Sequence, residues 1–100
     1  MGSVTLTSIA EADLVQIWLY IATQSEESAD RLLARLESGL QQLADHPELG
    51  EMVTRLRFDF RVFSVSNYVV VYQGAEDGIL VLRVMHAARN WQEILRENRS

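Results

Sequence analysis

The stretch FRVFSVSNYVVVYQGAEDGILVLRVMH, residues 60–86, sets the architecture. β-Branched and aromatic residues crowd it, Ser66-Asn67 interrupts it as a tight turn, and residues 74–78 interrupt it again as a loop. It reads as strands of an antiparallel meander over residues 60–65, 68–73 and 79–85, with residues 54–58 forming either a further strand or one strand with 60–65. A two-residue first loop and a five-residue second loop put Phe63, Val65, Tyr68, Val70, Tyr72, Leu80, Leu82 and Val84 on one sheet face. Phe60, Val62, Val69, Val71 and Val81 fall on the other. An antiparallel sheet usually needs only one apolar face. The second face therefore calls for cover from the C-terminal segment, a second copy or a partner chain, and the pattern predicts a protein partner.

Working outward, the period before residue 50 is helical. Residues 4–7 alternate weakly and read as a short first strand. Ser8 stands as an N-cap with Glu11 three residues on, the spacing of a capping box. Leu14, Ile17, Trp18 and Ile21 then mark an amphipathic helix over residues 10–23. Ser25 caps a second helix, with Glu26 and Glu27 where the helix dipole favours acids. Its core stripe is Ala29, Leu32, Leu33, Leu36, Leu40 and Leu43, and Pro47 stops it. The link between the helices is short enough to force an antiparallel hairpin. Beyond the meander, Asn90 can cap a last short helix with Glu93 at the box position and Trp91, Ile94 and Leu95 on its docking face. The order is strand, helix hairpin, antiparallel meander and terminal helix: an α+β fold in one domain spanning residues 1–100.

Composition narrows the function classes. The 100 residues are 48% hydrophobic and 23% charged, a globular balance. The chain has no cysteine, so disulfides and thiolate metal sites are excluded and a reducing compartment is expected. No apolar run is long enough to span a bilayer, and residues 1–5 lack a basic leader pattern, so the cytoplasm is the expected location and no membrane is involved. Net charge is −5, unevenly placed: nine acids face two arginines in residues 1–51, and five acids face seven arginines in residues 52–100. All nine basic residues are arginine. An acidic chain does not condense generally on nucleic acid, but the C-terminal half can carry a local arginine-lined site.

No Gly-rich phosphate loop, metal-spaced cluster or nucleophile elbow is present, so neither a metal nor a cofactor is expected. His46, beside Pro47, suits a helix C-terminus. His86, among Arg83 and Arg89, is the better site candidate. A histidine moving a proton and arginines stabilising developing charge could cleave a phosphodiester, with Arg61 as a further cation. Against this, no second acid or base accompanies it.

Several segments in order carry a family resemblance: ADLVQIWLYIA at 12–22, HPELG at 46–50, Leu56-Arg57, FRVF at 60–63, YVVVY at 68–72 and ILVLRVMHAARN at 79–90. Over nearly its whole length the sequence resembles the RelE/ParE toxin superfamily of type II toxin–antitoxin systems. RelE-type members resemble ribosome-dependent mRNA endoribonucleases, tend to be basic, and open the strand equivalent to residues 68–72 with an arginine. Here that position is Tyr68 and the chain is acidic and lysine-free, so the ParE type is the better fit, with Asn90 where an aspartate often stands. That resemblance implies inhibition of DNA gyrase by binding, without catalysis or direct sequence-specific nucleic-acid binding, in plasmid maintenance or stress response. It also implies neutralisation by a cognate antitoxin in a hetero-oligomer. The expected target contacts are Arg57, Arg61, Arg83, Arg89, Arg96 and Arg99. The expected antitoxin contacts are Leu14, Trp18, Tyr68, Val70 and Tyr72. The catalytic alternative uses His86, Arg83 and Arg61.

Overall fold

A computed structural model describes residues 2–54, 59–89, 91 and 93. In chain order the elements are β1 (Ser3–Leu6), α1 (Ser8–Ala22), α2 (Glu26–Asp45), a short 3₁₀ turn (Pro47–Leu49), β2 (Glu51–Val53), β3 (Phe60–Val65), β4 (Tyr68–Ala75) and β5 (Gly78–His86). The strands form one sheet in the order β1-β5-β4-β3-β2, antiparallel except that β1 runs parallel to β5. This is the α+β architecture that the change of period implies, with the helix hairpin on one sheet face. Gly78 lets β1 approach, since a Cβ there would collide with the backbone of Ser3.

Helix α2 starts and stops where the sequence says. The Ser25 hydroxyl accepts from the Ser28 N–H at 3.1 Å, and the helix ends at Asp45, two residues before Pro47. Helix α1 differs by one residue. Its N-cap is Thr7, not Ser8: the Thr7 hydroxyl accepts from Ala10 N–H at 3.0 Å and donates to the carbonyl of Leu82 at 3.0 Å. Ala10 then occupies the position where a capping box needs Glu or Gln, so the box expected from Glu11 does not form. Thr7 prevails because one hydroxyl both caps the helix and ties it to β5.

That tie falls at a β-bulge. The pairing runs Val71↔Arg83, then Tyr72↔Val81, leaving Leu82 as the extra residue on β5. The β4–β5 turn is also tighter than expected, with Ala75 paired to Gly78. These two facts correct the face assignment. Ile79 and Val81, not Leu80 and Leu82, join the core under the helices, and Leu82 packs on the opposite face. The bulge restores the parity beyond it, so Val84 lies under the helices as read from sequence.

Both sheet faces are apolar, as the pattern demands. The helix-covered core holds Leu36, Leu40, Leu43, Val70, Tyr72 and Val81, among others. The opposite cluster holds Phe60, Val69, Val71 and Met85, all buried, with Trp91 packed against it. The Trp91 and Phe60 rings meet edge to face at 6.3 Å between centroids. Trp91, from the chain's own C-terminal segment, thus lies over this face and meets part of the need for cover that the sheet pattern implies.

Two expectations fall on other residues. The strand expected over 54–58 is not seen at Thr54, which follows β2, and residues 55–58 lie outside the described residues. So does most of the expected terminal helix, including Asn90, Ile94 and Leu95; Trp91 and Glu93 are helical.

Candidate functional site

The arginines show what the fold makes of the candidate chemistry. Arg83 grips Asp13 of α1 with two nitrogens, Nε to Oδ2 at 2.8 Å and Nη2 to Oδ1 at 3.1 Å. The same Oδ2 accepts the Val84 N–H at 3.0 Å. Both side chains are largely withdrawn from water, 13% and 15% exposed, so this fork pins α1 to β5. Arg61 donates to the carbonyls of Gly50 at 2.7 Å and Glu48 at 3.3 Å, holding the segment that follows α2.

His86 is exposed at the end of β5, and its ring meets Tyr68 edge to face at 5.2 Å. Its Nδ1 accepts the Ala88 N–H at 3.0 Å, which places the ring proton of the neutral form on Nε2. Arg61 lies opposite Tyr72 and His86 opposite Tyr68, so the two stand about 13 Å apart along β4 at the usual strand rise. The trio His86, Arg83 and Arg61 is therefore not brought together. Arg83 is committed to Asp13; of the expected target-contact arginines among the described residues, Arg89 joins His86, in an open hollow that Tyr68 also lines. Arg57, Arg96 and Arg99 lie outside the described residues. Among the described residues no group of three or more His, Asp or Glu could hold a metal ion.

The expected antitoxin contacts divide sharply. Val70 and Tyr72 are 0% exposed, so they belong to the core and offer a partner no surface. The Tyr72 hydroxyl donates to the Pro47 carbonyl at 2.7 Å and accepts the Gly50 N–H at 2.8 Å, clamping the turn after α2 onto the sheet. Burial pushes the Tyr72 phenol pKa up, partly countered by the bond from Gly50 and the charge of Arg61. Tyr68 is buried too, and burial, then the charge of Tyr20, raises its phenol. Leu14 and Trp18 remain available. With Val15, Leu19 and Leu33 they line a hollow of about 280 Å³ between the two helices. The Trp18 indole donates to Asp30 at 2.9 Å across that seam.

Sequence reading missed the outer face of α1. Ile9, Val15, Leu19 and Tyr20 are exposed, Tyr20 at 71%, and helical spacing sets them away from the buried Ala10 side. The signal was present: residues 14–22 carry more apolar positions than one buried stripe can use. Asp13 was also missed. An acid inside the otherwise apolar stretch 12–15 was the available hint, but its partner lies 70 residues away.

Known proteins can now be set beside this geometry. Residues 4–91 match the family described as ParE toxin of type II toxin-antitoxin system, parDE. The chain is 36% identical over 89 residues to "Toxin RelE2" of Caulobacter vibrioides, covering 89% of this chain and 99% of that protein. It is 30% identical over 87 residues to "Toxin ParE1" of the same organism, covering 85% and 88%. Among solved structures, a chain of the "Chromosomal ParDE TA system from P. aeruginosa" superposes with a TM-score of 0.69, over 86% of this chain and 96% of that one. It shares the fold at 19% identity.

Proposed function

The chain belongs to the ParE toxin family of type II toxin–antitoxin systems, and on that premise we propose that it acts by binding, with DNA gyrase as target and a cognate antitoxin as neutraliser, in the cytoplasm. The observation that supports a binding mode is the dispersal of the candidate chemistry. General acid–base cleavage of a phosphodiester needs proton-transfer groups within hydrogen-bond reach of the reacting atoms. In the hollow beside His86 the one carboxylate of the lining, Asp13, is locked to Arg83 and the Val84 N–H. Gyrase as the target draws on the family resemblance and on the acidic, lysine-free sequence with Tyr68 in place of an arginine.

The antitoxin surface in this reading is the outer face of α1 and the hollow between the helices. Val15 and Leu19 border both, and an amphipathic helix laid along them would bury side chains that now face water. Leu14 and Trp18 keep their expected role; Val70 and Tyr72 do not.

A DNA supercoiling assay with purified toxin tests the target. Supercoiling should fall as toxin is added, cleaved DNA should accumulate, and antitoxin should reverse both. Unimpaired gyrase at saturating toxin would sink the reading. The rival, a ribosome-dependent mRNA endoribonuclease, is favoured by one observation: His86, Tyr68 and Arg89 do share a hollow. Primer extension on translated mRNA after induction discriminates. Cleavage abolished by His86→Ala would establish the rival, and growth arrest without cleavage would remove it.

A further inference from the structure

Two hollows at one end of the molecule share Tyr20, Tyr68 and His86 in their linings. One, of about 600 Å³, lies between α1 and β5 and reaches Arg89. The other, of about 450 Å³, lies between the helix hairpin and the β3–β4 turn and reaches Arg35. Together they form a groove with an aromatic waist and a guanidinium toward each end.

The groove is short of acceptors. The ion pairs among the described residues are Arg31–Glu27 and Arg83–Asp13, so neither Arg35 nor Arg89 pairs with a carboxylate of the described residues. Arg35 donates to the Ser66 hydroxyl at 3.2 Å, and Ser66 itself is held at a positive φ of 54° in the turn. The one carboxylate in the lining, Asp13, is already taken up by Arg83 and the Val84 N–H. The Tyr68 hydroxyl makes no hydrogen bond among the described residues and is not sealed from water, so a ligand in the groove can reach it. His86 turns Nδ1 toward Ala88, which leaves Nε2–H as a donor. Ile17, Ile21 and Val84 add aliphatic lining. In a chain of net charge −5, a hollow whose uncompensated charges are both positive is a local inversion.

We propose that this groove binds an extended acidic peptide segment of a partner protein, with carboxylates on Arg35 and Arg89 and an apolar or aromatic side chain against Tyr20, Tyr68 and His86. Carboxylates suit the guanidinium forks, and the aliphatic lining suits side chains. A nucleic-acid strand fits less well: affinity for phosphates grows with the number neutralised, and two free cations on an acidic chain neutralise few. Arg89 also stands among the proposed gyrase contacts. The groove gives it a class of ligand, and the inference holds whether or not gyrase is the target.

The test is titration of the full-length chain, followed by fluorescence anisotropy, with a labelled, end-blocked peptide of alternating glutamate and leucine. The same peptide with glutamine for glutamate is the charge control. The glutamate peptide should bind saturably and the glutamine peptide at least tenfold more weakly. Arg35→Gln and Arg89→Gln should each weaken binding roughly tenfold, the loss of one charge-assisted contact. Tyr68→Phe should cost a few-fold, and Arg31→Gln, on an exposed pair elsewhere on α2, should change nothing. Circular dichroism melts confirm that the variants fold. Equal binding of both peptides, no saturable binding, an equal loss with Arg31→Gln, or tighter binding of a single-stranded oligoribonucleotide would each overturn the proposal.

Discussion

Helices α1 and α2 lie against each other in one hairpin, yet they face water very differently. Helix α2 is amphipathic: Ala29, Leu36, Leu40, Leu43 and Ala44 are buried, and its outer side carries Glu27, Asp30, Arg31 and Glu37. Helix α1 buries Ala10 alone completely and leaves Ile9, Val15, Leu19 and Tyr20 in water. The contrast teaches a division of labour. A helix with a charged outer face has met its packing requirement inside the chain, whereas one with an apolar outer face has packing still to do. Stability should therefore concentrate in α2, and partner recognition in α1.

The largest expected effect lies on the stability side. Leu43 is fully buried, so Leu43→Ala should destabilise the fold by about 3–4 kcal/mol through lost transfer energy and a residual cavity, measured by urea unfolding. A cost near that of a surface substitution would deny α2 its role as keystone. Next comes the ion-paired tie of α1 to the sheet. Asp13→Ala strands Arg83 in a nearly closed site and should cost about 3 kcal/mol. If it costs less than 1, packing and the Thr7 cap hold α1 rather than the ion pair.

The recognition side is probed by Leu19→Glu. It should leave stability within about 0.5 kcal/mol, as for other surface changes. It should nonetheless weaken the antitoxin complex by about 2 kcal/mol, roughly thirtyfold, in isothermal titration. A variant that binds antitoxin normally would move the recognition surface off α1. A smaller effect tests how tightly α2 is fitted. An exposed helical glycine gains about 1 kcal/mol on replacement by alanine, but a Cβ on Gly39 would stand 2.7 Å from a methyl of Val65. With the stiff valine unable to turn aside, Gly39→Ala should reverse sign and cost about 1 kcal/mol.

The smallest effect is a pH dependence at the end of α2. The Asp45 pKa lies below its ordinary 3.8, first because the Gly2 N–H bonds its carboxylate and then because Gln41 does. A depressed folded value means the contribution is complete above pH 3.8 and is lost as pH falls through the lower folded value. Asp45→Asn should flatten this acid limb slightly in melts below pH 4. An unchanged limb would show that the Gly2 contact does not persist in solution.

Much of this was legible beforehand because it is local. The Ser25 cap, the stop before Pro47, the Ser66-Asn67 turn and the alternation along β3 and β4 each depend on neighbours within a few residues. Spacing alone therefore determined two helices, an antiparallel meander and a sheet apolar on both faces. The inserted Leu82, and with it the side taken by Ile79, Leu80 and Val81, depends on how β5 meets β4 and on the hydroxyl of Thr7, 75 residues earlier. Likewise Arg83, Arg61, Arg35 and Arg89 are the same residue in the sequence. Only folding paired the first with a carboxylate, gave the second backbone carbonyls, and left the other two at a groove where no described carboxylate pairs with them. A periodic pattern fixes which side of an element is apolar, but a charge acquires its role from groups that only the closed chain brings within 3 Å.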